Sequence, residues 1–391
     1  MYDLSRHPYF REYIDPKSGV KSYILKEKLA QMQTPFYFTN PGITENCKYL
    51  WFRCMNYPAL FWTVGLVCLD PDEPFIRHFP SIGSPCDNLC GIIPGTDDLL
   101  FASGNSVFKS DIEGNITKLI TVGNDIIKDR KISHLFTHAS FSTDGKHIIM
   151  DMMIADKVYL AEGNIETGEV KMLHKFVRNY NHAMFSPADR NLVLIDQDWM
   201  RDPDSGERFD IDQRMWVMDI RGTRFEPMQP DNWFRHNNSL ICHDFWSKDG
   251  MICWPDLPDA VYELDVNTKV KTPVWNQALC HCHTIDRKYW VGDASPYSWN
   301  EKPCRVIFFD RETNKEIDIF SAMPKPVIEN TGVYHLDPHP GFSNDSSCII
   351  SMTTVDNGNA DLAVTPVEPL IERCCECGTV VSDVWEPKYI Y

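Results

Sequence analysis

Seven times along the chain a polar turn, often Asp-Gly or an equivalent, opens into a run of β-branched and aromatic residues. The segments are TENCKYLWF (44–52), GTDDLLFAS (95–103), STDGKHIIM (142–150), SPADRNLVLI (186–195), SKDGMICW (247–254), TIDRKYWVGD (284–293) and SNDSSCIISM (343–352). They recur about every 40 to 60 residues, a period that belongs to repeat architectures. A turn of this chemistry leading into an apolar run predicts a β-hairpin. A second hairpin follows in most copies, as in VFKSDIEGNITKLI, VYLAEGNIETGEVKML, MWVMDIRGTRFEPM, VYELDVNTKVKTPV and VIFFDRETNKEIDIF. Two hairpins per repeat make a four-stranded antiparallel sheet.

One such sheet cannot bury both its faces, and seven of them in series predict an all-β, seven-bladed β-propeller filling residues 1–391 as a single domain. VKSYILK (20–26) is placed to lend a strand to the last blade and close the ring. Helical periodicity is confined to a short stretch near 24–32. A β-sandwich with coincidental spacing is the competing fold.

Composition narrows the class of partner. Hydrophobic residues make up 43% of the 391, enough for a large core. No run approaches the ~20 apolar residues of a membrane span, and the polar start MYDLSRHPYF lacks the apolar core of a signal peptide,. The expectation is a soluble, cytoplasmic protein with no membrane partner. Its fourteen cysteines, several inside strand-like runs, are expected to be mostly reduced. The net charge of −17 argues against nucleic acid, which needs a basic face. An acidic sugar needs only a local cluster of Arg, His or metal.

The repeat also orders the histidines. HASF, HAMF, HDFW, HCHT and HPGF place His138, His182, His243, His281 and His339 at one apparent position, three residues before the Phe, Trp or Thr that precedes each turn. Asn40 and Cys90 stand there in the first two repeats. Equivalent positions in a propeller ring the axis, and a single histidine there is as readily a packed core residue. Five are harder to explain that way, because Val or Leu would fill a channel without a polar ring to satisfy.

His281 and His339 belong to consecutive repeats, so their side chains can converge on one ion. In YHLDPHPGFSND (334–345), His335 and Asp337 are local candidates to complete the shell, and Pro338 and Pro340 stiffen the backbone around His339. Imidazole nitrogen with carboxylate oxygen suits Mn²⁺, Zn²⁺ or Fe²⁺ better than Ca²⁺. His283, in the same Cys-His-Cys-His run, is an alternative to His281.

Taken together, CHDFWSKDG (242–250), QRMWVMD (213–219), the histidine ahead of VGD (281–293) and DPHPGFS (337–343) resemble the oligogalacturonate lyases of polysaccharide lyase family 22. The likeness runs from about 130 to 355, and the first 130 residues match only in blade pattern. It implies a seven-bladed propeller with a Mn²⁺ ion, a catalytic base at His243 and a catalytic arginine at Arg214. It also implies metal ligands at His281 and His339. The pattern departs where the family has Gln-x-x-His-Pro-His-Pro: Tyr334 replaces the glutamine, Asp337 replaces a histidine, and His335 lies one place along.

The same residues suit β-elimination at a uronate. The C5 proton beside the carboxylate is weakly acidic, and a divalent cation on that carboxylate offsets the charge that builds up when the proton leaves. His243 suits the base role because an imidazole titrates near neutrality, and the guanidinium of Arg214 can fork onto the carboxylate. Asp212, two residues before Arg214, offers the plainer reading of a blade-edge ion pair. His138 and His182 are candidates to bind sugar hydroxyls or simply to line the channel. The insertion 197–214 adds Trp199, Arg201 and Arg208, and a second loop brings Trp233, Arg235 and His236,. Cys374, Cys375 and Cys377 form a cluster without a second pair at zinc-finger spacing.

The expected substrate is a short acidic oligosaccharide. Elimination on another uronate glycan, such as an ulvan or rhamnogalacturonan fragment, metal-dependent lactone hydrolysis, and a non-catalytic glycan- or protein-binding propeller remain alternatives.

Overall fold

The computed structural model describes residues 1–391 apart from 60, 85–89, 203, 229–239, 258–259, 295–302, 329–335 and 383–391. The described residues form seven small antiparallel sheets, the blades of a seven-bladed β-propeller, and one two-stranded ribbon, Met200–Arg201 with Arg208–Phe209. The chain divides into two compact units. One comprises Met1–Cys86, Trp254–Tyr262 and Thr272–Tyr391; the other comprises Asp87–Cys253 and Glu263–Lys271.

In the first unit, one sheet runs Met32–Thr34, Tyr49–Met55, Trp62–Cys68, Ile76–Ser84. Another runs His281–His283, Tyr289–Ala294, Cys304–Asp310, Lys315–Met323, with Thr379–Val380 added at its edge. The third has the order Phe10–Ile14, Lys21–Leu25, Asp361–Pro366, Cys348–Thr353, Gly341–Phe342. Here Tyr23 pairs with Val364 and Ile24 with Ala363, so residues from the start of the chain complete a sheet built from its end.

The second unit contains three sheets: Gly91–Ile92 to Ile116–Thr121, Ile132–His134 to Val170–Lys175, and Asn179–Phe185 to Phe225–Pro227. The seventh sheet has the order Leu240–Ile241, Met251–Leu257, Ala260–Asp265, Lys271–Trp275.

Burial explains which segments take which place in a blade. Tyr49–Met55 and Trp62–Cys68 are buried at every residue, so continuous apolar runs, not alternating ones, make the middle strands. Ile116–Thr121 and Val170–Lys175 are largely exposed. Their lysines sit on sheet edges, where charge opposes pairing with another chain. Blade faces pack into continuous cores, such as Phe52, Val67, Ile350 and Val364 in the first unit and Ile148, Met150, Leu100 and Val107 in the second.

The stretch near 24–32 is not helical: Lys21–Leu25 is a strand, and the residues after it bend into Met32–Thr34. Pairing with Asp361–Pro366 outweighs its weak local periodicity. Among the described residues the longest helix is Val367–Cys377, which packs on Cys304–Asp310 and Lys315–Met323 with Val367, Leu370 and Cys374 buried. No disulfide joins the thirteen described cysteines to one another. Among the described residues, no helix is long and apolar enough to cross a membrane.

Candidate functional site

The repeated turns fix where the histidines stand. Ser142, Ser247 and Ser343 each donate their hydroxyl to the aspartate two residues on, at 2.6, 2.7 and 2.7 Å. Thr284 holds the corresponding turn through Tyr289 O at 2.7 Å. Counting back four residues from these turn residues, and from Ser186, gives His138, His182, His243 and His339. In the remaining repeat it gives Cys280, so His281 is one residue further on than its sequence alignment suggested. The turn hydrogen bonds, not the nearest bulky residue, set the register.

Three of those four histidines have left-handed backbones: φ is 57° at His182, 55° at His243 and 43° at His339. A side chain there costs about 1–3 kcal/mol and persists where surrounding structure enforces it, characteristically at functional sites.

In the first unit, His281, Asp337 and His339 converge, each offering one ligand atom within 4.8 Å of the others. All three are buried. The rings of His281 and His339 lie 4.3 Å apart between centroids. Tyr37 walls the pair at 5.0 Å from His339, and Phe38 lies 5.5 Å from His281. Behind them stands Asp293, fully buried. Its carboxylate accepts the backbone N–H of His281 at 2.8 Å and that of His339 at 3.2 Å. It also meets His281 Nδ1 at 3.0 Å. That contact places the ring proton on Nδ1 and turns the lone pair to Nε2, the arrangement carboxylates impose on metal-binding histidines. Two imidazoles and a carboxylate at this spacing fit a divalent transition ion. The donor set therefore suits the Mn²⁺ expected from the sequence.

Gly341 makes this closeness possible. A Cβ there would collide with the carbonyl oxygen of Phe38, so only glycine lets the two backbones approach. His283, the alternative ligand, is engaged elsewhere. Its Nδ1 accepts the Phe342 N–H at 3.0 Å, and burial depresses its pKa to about 3. Tyr334 and His335 lie outside the described residues, as do Trp233, Arg235 and His236.

In the second unit, His138 Nε2 and His182 Nδ1 are 2.7 Å apart, one donating and the other accepting, as two neutral rings can. Burial and then the Arg214 charge bring the pKa of His138 to about 3. Burial, followed by His138, Arg214 and His243, holds His182 well below its usual value. His243 thus belongs to the same cluster, and it is only partly buried.

Arg214 is carried back to this cluster by Gln197. The Gln197 side chain accepts the Asp212 N–H at 2.7 Å and donates to Tyr180 Oη at 3.1 Å, while its N–H binds Arg214 O at 2.8 Å. The guanidinium then meets Asp196 at 2.7 Å and lies 3.9 Å from Asp244. The partner expected from the sequence, Asp212, pairs instead with Arg178 at 3.2 Å. Burial weakens the arginine's charge, and Asp196 with Asp244 more than restore it, so its pKa is raised.

The insertion that contributes Arg214 is a hairpin. Trp199 is half exposed, with the Arg208 guanidinium 5.0 Å from its ring centre. Arg208 also pairs with Asp210 at 2.8 Å, and Arg201 donates to Gly206 O at 2.8 Å. Trp199 and Arg201 line a cavity of about 320 Å³ with Arg178 and Lys157. At the other end of the chain, Cys374 is buried with its sulfur on Lys315 O, while Cys375 and Cys377 are exposed. The three sulfurs do not face one another as ligands would.

The residues that escaped the sequence reading are aspartates. Three second strands carry an aspartate as their fifth residue, HIIMD at Asp151, LVLID at Asp196 and YWVGD at Asp293. Asp151 accepts the N–H and hydroxyl of Thr137, next to His138, at 2.7 and 2.6 Å, much as Asp293 holds His281. The shared aspartate position was a usable signal.

Fold and site define a class: a seven-bladed β-propeller with a buried histidine–carboxylate centre. No protein-family model matches the sequence, and no curated protein matches it either. Among solved structures, an oligogalacturonate lyase in complex with manganese is similar, with a TM-score of 0.72 at 16% identity over 91% of this chain and 96% of that one. The oligogalacturonate lyase of Vibrio parahaemolyticus also has a TM-score of 0.72, at 16% identity over 92% and 96% of the two chains.

Proposed function

We propose that this chain is a divalent-metal-dependent lyase that cleaves short uronate-containing oligosaccharides by β-elimination. The convergence of His281, Asp337 and His339 within 4.8 Å, with Asp293 setting the His281 ring, carries this reading. The likeness of fold to manganese-bound oligogalacturonate lyase supports it. Mn²⁺ is the preferred ion.

In this reading His281, Asp337 and His339 hold the metal, with His335 as a further candidate. A bound divalent ion supplies Lewis-acid stabilisation of the uronate carboxylate as C5 becomes acidic. His243 removes the C5 proton. Its partial exposure leaves the ring open to substrate, and its left-handed backbone holds it in a fixed direction,. Arg214 pairs with the carboxylate through its remaining N–H donors. His138 and His182, both neutral, present ring nitrogens to sugar hydroxyls without adding charge. Trp199, Arg201, Arg208 and Tyr334 contact sugar units further from the scissile bond. The departing C4 oxygen leaves an unsaturated uronate, and no water is consumed.

Near-ultraviolet absorbance tests this directly. Protein with Mn²⁺ should raise the absorbance of an oligogalacturonate solution as the C4=C5 bond forms, and a chelator should stop the rise. Metal-loaded protein that produces no rise on oligogalacturonate, ulvan or rhamnogalacturonan fragments would remove the lyase reading.

A further inference from the structure

Two buried carboxylates share one guanidinium in the second unit. Arg214 Nη2 lies 2.7 Å from Asp196 Oδ2, and Nε lies 3.9 Å from Asp244 Oδ1; the aspartate side chains are 3% and 0% exposed. The two carboxyl groups are neighbours within hydrogen-bonding reach. Among the described residues, no other group hydrogen-bonds either oxygen of Asp244 or Oδ1 of Asp196. An ionised carboxylate buried without donors is heavily penalised, and two ionised carboxylates side by side repel. A proton on one of them supplies the missing donor and removes the repulsion.

The neighbouring groups offer no other remedy. Asp198 adds negative charge, and the Cys242 thiol lies beside the arginine. His138 and His182 are held neutral by burial and by Arg214 itself, and His243 and His134 face His182. With both aspartates ionised, the trio with Arg214 would carry −1; with one proton it is neutral. Burial first, and then Asp244, hold Asp196 well above the usual carboxylate range, against the pull of Arg214.

We propose that Asp196 and Asp244 hold one proton between them at neutral pH, acting as positioning residues that orient Arg214 while leaving it receptive to an anion. Its value to catalysis rests on the lyase reading above, but the shared proton is a property of the resting protein. The pattern resembles the two-carboxylate sites of acid proteases in having one proton for two buried acids, although here an arginine is the third member.

Infrared difference spectroscopy of the full chain, titrated between neutral and alkaline pH, reads that proton without substrate. The expected result is a protonated-carboxyl carbonyl band at neutral pH that is absent in both Asp196→Asn and Asp244→Asn, since the aspartate left in each pairs with Arg214 alone. Identical spectra for wild type and the two variants would overturn the proposal. Either variant suffices should the other fail to fold. If oligogalacturonate is turned over, the wild-type KM should climb at alkaline pH while that of Asp244→Asn stays flat. The same alkaline climb in the variant would show that the pair does not control Arg214. A carboxyl band without turnover keeps the shared proton and removes the lyase, whereas turnover without the band does the reverse.

Discussion

Asp293 Oδ2 lies 3.0 Å from His281 Nδ1 and also accepts the His339 backbone N–H. One carboxylate therefore sets the ring of one prospective ligand and the backbone of both. Asp293→Asn keeps an acceptor for the backbone but loses the charge that fixes the His281 tautomer. Mn²⁺ affinity should weaken by about 10- to 100-fold, measured by calorimetric titration. Unchanged affinity would reduce Asp293 to a backbone brace.

The metal-holding and proton-abstracting roles separate in two variants. His339→Ala should lose the metal by elemental analysis. His243→Ala should retain full metal content and lose activity by about 10²- to 10⁴-fold, the usual worth of a general base. Full metal occupancy in the first, or wild-type turnover in the second, would strike out the corresponding assignment.

The blades were legible because each depends on local chemistry: a Ser or Thr turn, in five of the seven an aspartate two residues on, and a strand-length apolar run. Asp-Gly in STDGKHIIM and SKDGMICW needed no tertiary information. The site was legible in kind but not in register. His281 was aligned by its distance to Thr284 as though Thr284 were the bulky residue before the turn, when its hydroxyl is the turn. The partner of Arg214 was misread for a different reason. Asp212 is near in sequence, whereas Asp196 is brought close by the pairing of Asp196 with Met215 across two strands. Asp293 and Asp151 went unread because an aspartate next to an apolar run looks like a loop residue until the strand beside it is known.

Buried neutral histidines make acid stability a test of the fold. His283 has a pKa of about 3 in the folded chain and about 6.5 when unfolded. Between those values the unfolded chain binds more protons, so the contribution is fully present above about pH 6.5 and is lost as pH falls toward 3. Each such histidine steepens the loss by up to about 1.4 kcal/mol per pH unit. In His283→Gln, whose side-chain carbonyl can still accept the Phe342 N–H, the slope of urea-unfolding free energy between pH 6 and 4 should be shallower by about that amount. An unaltered slope would mean that His283 is protonated in the native protein.

Gly341 links backbone packing to the centre. Any β-carbon there would run into the Phe38 carbonyl, and Phe38 is fully buried against His281. Gly341→Ala must push the two backbones apart, with an overpacking cost of about 1–3 kcal/mol. The same shift moves the aromatic wall of Tyr37 and Phe38 away from His281 and His339. The expected result is a lower melting temperature together with weaker Mn²⁺ binding. A lower melting temperature with wild-type metal affinity would show that the centre is held by Asp293 and the histidine strands alone, without the support of that wall.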